Sequence, residues 1–393
     1  MRVLVAMSGG VDSSVAAALL TERLGRHQVV GATLKLWGGS SDSGCCSVAD
    51  VEDARRVAEQ LGLVHHVFNF SAEFEERVVD PYVQGHADGR TPNPCIECNR
   101  HIKFDRLLDR ARALGFDAVA TGHHARRVAV DGGRFRLCRG TDPLKDQSYV
   151  LAMLGQDQLA RSLFPVGEMT KAQVRSEAHR LGLRTADKPD SQDVCFIRSD
   201  EGRQGFLGAR LPLHAGRLVD HDTGEDLGPV DAVELVTVGQ RRGMGHSPGG
   251  SRRFVTAVDV PTRRISLGSA EAALARRVRL HTVTWTDADP LAPGVPAGSA
   301  AGGGRSAGGG RSAGGDGGDG GDGGDAGVAV IAQCSAHGRP VAGTVRRTIG
   351  PDRDGPAVSV TFATRQRRIA PGQTVALYDP SEPDVVMGSG VAG

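Results

Sequence analysis

The sequence predicts an α/β protein: a doubly wound, mostly parallel sheet, then a small mainly-β central region, then a C-terminal β-barrel. Three observations carry this. Up to about residue 200, apolar strand-like runs alternate with helical patterns, the sequence form of a parallel sheet with helices on both faces. From about residue 201 to 270 the runs become short and glycine-punctuated. Beyond a glycine-rich tract, four alternating segments separated by Gly/Pro turns read as a small antiparallel barrel. The predicted units are 1–200, 201–270 and 275–393. A chain of 393 residues is long enough to bury more than one core.

The first strand is the apolar run Val3-Leu4-Val5-Ala6-Met7. Ser8-Gly9-Gly10-Val11-Asp12-Ser13-Ser14 follows it and opens a helical stretch over Val15–Leu24. A strand, a glycine turn and a helix N-terminus in that order form an anion site. Glycines let backbone N–H groups approach a phosphate, the Ser8, Ser13 and Ser14 hydroxyls add donors, and the helix dipole favours negative charge. The alternative is a Gly/Ser turn before an ordinary helix. No Lys follows the second glycine and the spacing is not G-x-G-x-x-G, so neither the Walker loop nor the dinucleotide fingerprint fits.

Further elements follow in order. Val29–Leu36 is a strand, Val48–Leu61 a helix, Val64–Phe68 a strand, Phe104–Leu114 a helix and Ala118–Ala120 a strand. His214–Val219 and Phe254–Val258 are strands of the central region. Residues 297–327 contain GGGRSA twice and GGD four times, and so much glycine cannot offset the entropy of ordering, so this segment reads as a tether inserted into the barrel region. Val328–Gln333, Val341–Arg346, Val358–Phe362 and Thr374–Tyr378 are the barrel strands.

Net charge is +1, which says nothing about partners, but its distribution does. Between Gly239 and His281 nine arginines (241, 242, 252, 253, 263, 264, 276, 277 and 279) face only Asp259 and Glu271. Such a stripe suits a polyanion such as RNA, or is a solvated face in an arginine-biased chain. The N-terminus reads as no secretion signal, and no run approaches the ~18 apolar residues of a membrane span. Seven cysteines without such a signal point to a reducing cytoplasm, where a thiol is more often catalytic or metal-binding than structural.

Cys95 and Cys98 lie in the proline-stiffened loop Thr91–Asn99, just before a helix at Lys103-Phe104-Asp105. A thiol there is expected to have its pKa lowered by N–H groups and by Arg100 and Lys103. Cys195 lies in Asp190–Ile197, in an apolar run consistent with either a functional or a buried, inert thiol. Cys45, Cys46, Cys138 and Cys334 have no comparable setting and read as structural. Cys95-x-x-Cys98 has no partner motif with zinc-finger spacing and lacks the usual context of a redox dithiol. With Cys195 it could supply three thiolates to an iron–sulfur cluster.

SGGVDSS, TPNPCIECN with IKF, TGHHAR, KDQSYVL, KPDS…CFI, GQRRGMG and APGQTVALYD occur in that order and span nearly the whole chain outside the glycine tract. Together they resemble the tRNA-specific 2-thiouridylase family, whose members thiolate the wobble uridine of the tRNAs for Lys, Glu and Gln. The resemblance implies a PP-loop, adenine nucleotide alpha-hydrolase-like catalytic domain. Ala6, Met7, Ser8, Gly9, Gly10, Val11, Asp12 and Ser13 would hold ATP, joined by Leu34 and Gly122 at the carboxyl ends of strands, where such sheets bind ligands. Cys98 would be the nucleophile and Cys195 the persulfide carrier. Asn93, Pro94 and Cys95 would face the target base. Lys145, Asp146, Gln147, His123, Gln373, Cys334 and Ser335 would contact tRNA.

Mg²⁺ on the phosphates, with Asp12 near it, and a cysteine desulfurase or sulfur-relay protein as donor are implied as well. A monomer without membrane association is expected. Two departures matter. Many relatives carry Asp where this chain has Cys95, so a carboxylate role there does not transfer. Gln333-Cys334-Ser335 also replaces an Arg-Tyr-Arg-Gln-like string. Two rival readings are a PP-loop ligase or amidotransferase acting on a small metabolite, and a non-catalytic RNA-binding module. The first needs neither paired thiols nor an arginine stripe, and the second would tolerate losses in SGGVDSS or at Cys98.

Overall fold

The structure is a computed structural model that describes residues 1–37, 48–190, 194–197, 200–245, 250–292, 327–348 and 357–393. Cys45, Cys46 and nearly all of the glycine tract lie outside these residues.

Strands β1 (Val3–Ala6), β2 (Val29–Lys35), β3 (Val64–Asn69) and β4 (Ala118–Ala120) form a parallel sheet. The hairpin β5 (Ala125–Val130) and β6 (Arg134–Arg139) comes next in the chain, and then β7 (Ser162–Leu163) joins the sheet, giving the order β3-β2-β1-β4-β7. The alternation of β1 shows how both faces are covered. Val3, Val5 and Met7 bury against helices α1 (Val11–Leu24) and α2 (Val48–Gln60), and Leu4 points into the opposite core with Leu34, Ile102 and Phe104. Chain order reverses on either side of β1, and the crevice at the carboxyl ends of β1 and β4 is where such a sheet binds ligands.

The predicted helix over Phe104–Leu114 is the end of a longer irregular one. It begins as a short turn, α3 (Pro94–Glu97), passes through a π-helical stretch at Cys98–Arg106 and ends as α4 (Leu107–Ala113). Further on, α5 (Lys171–Arg180) packs beside α1.

The central sheet contains β8 (Gly216–Asp220), β9 (Asp226–Val230), β10 (Phe254–Asp259) and β11 (Arg264–Gly268), in the order β10-β11-β8-β9. A closed antiparallel barrel follows: β12 (Leu274–Trp285), β13 (Val328–Gln333), β14 (Val341–Arg347), β15 (Val358–Arg367), β16 (Thr374–Tyr378) and β17 (Val386–Ala392). Closure by β12 against β17 leaves no open edge. The connection that includes residues 297–326 joins β12 to β13, two strands of this barrel.

The barrel is fastened to the first unit by buried polar contacts. Tyr149 donates its hydroxyl to the Thr374 carbonyl at 2.8 Å, Ser148 Oγ lies 3.0 Å from the Tyr378 hydroxyl, and Gln156 donates to the Thr286 carbonyl at 2.7 Å. Arg139 stacks over the Tyr378 ring and bonds both Asp146 and Gln333 at 2.8 Å. No helix among the described residues is long and apolar enough to cross a membrane.

Candidate active site

A cavity of about 350 Å³ opens at the carboxyl ends of β1 and β4. Ala6, Met7, Ser8, Gly10, Val11, Asp12 and Ser13 line it, together with Leu34 and Gly122. Gly9 does not line it and is required for another reason. Its φ is +73°, and a Cβ there would meet the Asp50 carbonyl oxygen at 2.3 Å, so the turn is pressed against the start of α2. A Cβ on Gly122 would come within 2.6 Å of the Ser13 backbone nitrogen, so only glycine lets β4 approach α1 here.

The serine hydroxyls are arranged differently from the sequence expectation. Ser14 is fully buried and does not line the cavity; its hydroxyl donates to the Gly10 carbonyl at 2.8 Å. Ser13 Oγ donates to the same carbonyl at 3.1 Å and accepts the Ser8 N–H at 3.1 Å. A helical serine one turn in reaches its own i−4 carbonyl more readily than a ligand, so Ser14 braces the turn instead of adding a donor.

Charged side chains form two groups along the cavity, one around Asp12 and Asp190 and one around Lys188. Lys171 Nζ lies 2.8 Å from both Asp12 oxygens and 2.8 Å from Asp190 Oδ1. Lys145 and Arg175 hold the same Asp190 carboxylate at 2.8 and 3.0 Å. His124 Nε2 lies 3.1 Å from Asp12 Oδ1. Lys188 bridges Asp50 at 2.6 Å, Asp53 at 2.9 Å and the Gly9 carbonyl at 3.0 Å. Burial pushes the Asp12 carboxyl up, but hydrogen bonds from His124 and Lys171 outweigh it and hold the group below its usual range. For Asp190 burial is likewise overcome, by Lys145 and Lys171, and its pKa falls to about 2. Both are therefore anions at neutral pH.

His123, Lys145 and Gln147 line this same cavity, so three of the residues expected to contact tRNA share a wall with the expected nucleotide site. His123 is buried between Phe104 and Phe164, with Nδ1 2.7 Å from the Thr121 hydroxyl. Burial first, then the charges of Lys103 and His124, keep it neutral. Asp146 faces inward, and its carboxylate accepts from the Gly140 and Ser148 N–H groups, the Ser148 hydroxyl and Arg139.

The Thr91–Pro94 loop stands where the three sheets' units meet. Gln373 donates its amide to the Thr91 carbonyl, Thr91 N–H donates to the Pro371 carbonyl at 2.7 Å, and Thr91 Oγ1 lies 3.4 Å from Thr237. Asn93 caps α3, accepting from Cys95 N–H at 3.1 Å, and Pro94 occupies the first helical position, where its missing N–H costs nothing. Cys95 is exposed and Cys98, one turn on, is buried. Cys195 is half-buried in a segment anchored by Phe196, whose ring packs on Trp37, Phe74, Tyr82 and Phe206. Cys98 and Cys195 belong to the same apolar cluster. Cys334 and Ser335 follow β13; burial pushes the Cys334 thiol up to about 11.

Among the described residues no three His, Cys, Asp or Glu side chains converge as a metal site. Asp12, a carboxylate on the cavity wall, is the residue that would hold magnesium, which takes one or two carboxylates and completes its shell with phosphates and water.

Sequence reasoning did not single out Lys171, His124, Asp50, Thr33 or Thr121, all of which line the cavity. His124 stood inside the TGHHAR string, and Lys171 had a signal in the rarity of lysine.

Comparison with known proteins agrees. Residues 1–199 match the family model described as tRNA methyl transferase HUP domain, and 331–392 that described as aminomethyltransferase beta-barrel domain. The tRNA-specific 2-thiouridylase MnmA of Mycobacteroides abscessus is 42% identical over 100% of this chain and 99% of its own. That of Rhodococcus erythropolis is 40% identical over 99% and 97%. The Chloroflexus aggregans protein of the same name is 48% identical over 74% of this chain and 81% of its own. The chain belongs to the tRNA-specific 2-thiouridylase family.

Proposed function

We propose that the protein is a tRNA-uridine 2-sulfurtransferase that 2-thiolates the wobble uridine of the tRNAs for Lys, Glu and Gln, consuming ATP and releasing AMP and pyrophosphate. One observation carries the reading: the two segments that bear the thiols each contribute a residue to the wall of the cavity. Lys103, five positions after Cys98, and Asp190, five positions before Cys195, both line it.

The C2 carbonyl of uracil needs activation because its oxygen leaves badly. That oxygen attacks the α-phosphorus of ATP; an O–P bond forms and the bond to pyrophosphate breaks. The helix N-terminus at Gly10–Ser13 and the lysines of the cavity take the phosphate charge. Mg²⁺ held by Asp12 and the phosphates would offset further negative charge. The terminal sulfur of a Cys195 persulfide then attacks C2, and the C2–O bond breaks with loss of AMP. The Cys98 thiolate attacks the inner sulfur of Cys195, breaking the persulfide bond. Sulfur stays on the base as the thiocarbonyl, and the two cysteines end as a disulfide that an external thiol must reduce. In the alternative order Cys98 first releases hydrosulfide from Cys195, which then attacks C2.

Asn93, Pro94 and Cys95 would face the base, and His123, Lys145, Gln147, Gln373, Cys334 and Ser335 would meet the tRNA. The inward carboxylate of Asp146 supports a positioning role for that residue. All nine arginines of the 239–281 stripe except Arg253 are exposed, as a phosphate-backbone contact requires. The protein would act as a cytoplasmic monomer, charged with sulfur by a cysteine desulfurase or relay protein.

The test is thiolation of unmodified tRNA-Glu transcript under anaerobic conditions with ATP, Mg²⁺, cysteine and a desulfurase, read by a mercury-gel shift and by AMP release. Shifted tRNA from iron-free protein, with AMP release dependent on tRNA, is expected. AMP release with a small metabolite and without tRNA would favour the ligase reading, and no turnover would leave an RNA-binding module.

A further inference from the structure

The chain holds five lysines, Lys35, Lys103, Lys145, Lys171 and Lys188, against 42 arginines. Four of the five line the cavity. A chain that uses arginine for nearly every other cation uses ammonium groups here, and the two cations are not interchangeable. A guanidinium is a rigid planar fork; an ammonium is a point charge with three donors on a flexible stem, able to trade one set of oxygens for another by rotating that stem.

Lys171 is the one placed to make such a trade. Its three N–H donors meet three carboxylate oxygens at 2.8 Å, two on Asp12 and one on Asp190. Its backbone is fixed: it is the first residue of α5, behind the Thr170 cap, and its own N–H donates to Asp142 at 2.9 Å. The acceptors are not equally dependent on it. Asp190 keeps Lys145 and Arg175 if Lys171 leaves, whereas among the described residues Asp12 keeps the His124 side-chain contact alone and stands on the cavity wall beside the glycine turn.

We propose that Lys171 is a polyphosphate ligand that rests on Asp12 before the nucleotide binds, and that entry of the nucleotide moves its ammonium from Asp12 to the pyrophosphate end of the triphosphate, freeing the Asp12 carboxylate. The proposal rests on reading the cavity as an ATP site. It gives the Asp12–Lys171 pair a purpose: the pair neutralises an otherwise repulsive carboxylate until phosphate arrives, then divides into an anion and a cation, both facing the ligand.

The test is calorimetric binding of inorganic pyrophosphate, AMP and ATP to the full-length protein in EDTA, with K171Q, D12N and the D12N/K171Q double variant, each checked by thermal melting. K171Q should weaken pyrophosphate by about 30-fold, the loss expected for one charge-assisted partner, and AMP by less than ~3-fold. D12N should tighten pyrophosphate by roughly 5-fold, because it releases the ammonium. The double variant decides between contact and neutralisation. Affinity as weak as that of K171Q supports direct contact; recovery to the wild-type value means Lys171 only cancels Asp12, and overturns the proposal. If K171Q does not fold, the double variant, in which no unpaired Asp12 charge remains, carries the same comparison against D12N. Wild-type protein that binds neither ATP nor pyrophosphate would remove the ATP reading and the proposal with it, whereas ATP binding unchanged in K171Q would remove the proposal alone.

Discussion

The Tyr149 hydroxyl donates to the Thr374 carbonyl at 2.8 Å with both residues buried, joining the parallel-sheet unit to the first residue of a barrel strand. Burial, and then the neighbouring Cys334 and Tyr378, raise the phenol's pKa well above its ordinary value, so it remains a donor at any working pH. Tyr149→Phe keeps the ring and strands the carbonyl. A loss of about 1–3 kcal/mol is expected in urea unfolding, the cost of an unpaired buried acceptor. An unchanged midpoint would mean that water or another donor satisfies Thr374.

Cys98→Ser and Cys195→Ser should each abolish thiolation while tRNA-dependent AMP transfer to the uridine continues, because neither thiol takes part in that first step. Separate assays of labelled AMP on tRNA and of mercury-retarded tRNA check this. Full thiolation by Cys195→Ser would sink the persulfide assignment.

Gly9→Ala asks whether the turn tolerates a side chain. The positive φ and a 2.3 Å approach to the Asp50 carbonyl must both be relieved, and the neighbour is backbone, which cannot rotate away. Destabilisation of about 2 kcal/mol or more, with weaker ATP binding, is expected from thermal melts and calorimetry. Gly132→Ala serves as control: its φ is also positive but no atom lies within 4 Å, so strain acts there without the clash.

His86 supplies a pH prediction. Burial, and then the charge of Arg203, depress it to about 4 against the hydrogen bond it makes to the Glu234 carbonyl. Between that value and the ordinary 6.5 the unfolded chain binds a proton that the folded chain refuses. Its contribution is therefore full above about pH 6.5 and is lost as pH falls towards 4, by up to ~3 kcal/mol. His86→Gln should flatten that part of the stability profile in urea titrations at pH 7, 6 and 5. An identical slope in wild type and variant would assign the acid loss to other groups.

Where the information was local, sequence reading reached far. A strand followed by a glycine turn and a helix start is contiguous, so the strand–turn–helix from Val3 to Leu24 that lines the cavity was legible from spacing alone. The same holds for the sheet: apolar runs alternating with helices over the first 200 residues leave few arrangements that bury both faces of a strand. The barrel strands at Val328–Gln333 and Thr374–Tyr378 were legible to the residue because each is bounded by turn residues. The irregular helix at Cys98–Arg106 was not, since a π-helical stretch leaves no simple period.

What the chain could not declare in one dimension is which distant groups share a charge. Lys171 and Asp12 are 159 positions apart, and only the packing of α5 beside α1 brings an ammonium to that carboxylate. Likewise, Asp146 sits in a segment that reads as polar and accessible, yet the Arg139–Tyr378 stack turns its carboxylate inward. The sequence by itself determined the elements and the kind of ligand their termini attract, because backbone sterics and hydrophobic period act over a few residues. The tertiary structure decided which side chains oppose one another in the cavity, because Coulomb and hydrogen-bond energies depend on separations in space that chain order does not encode.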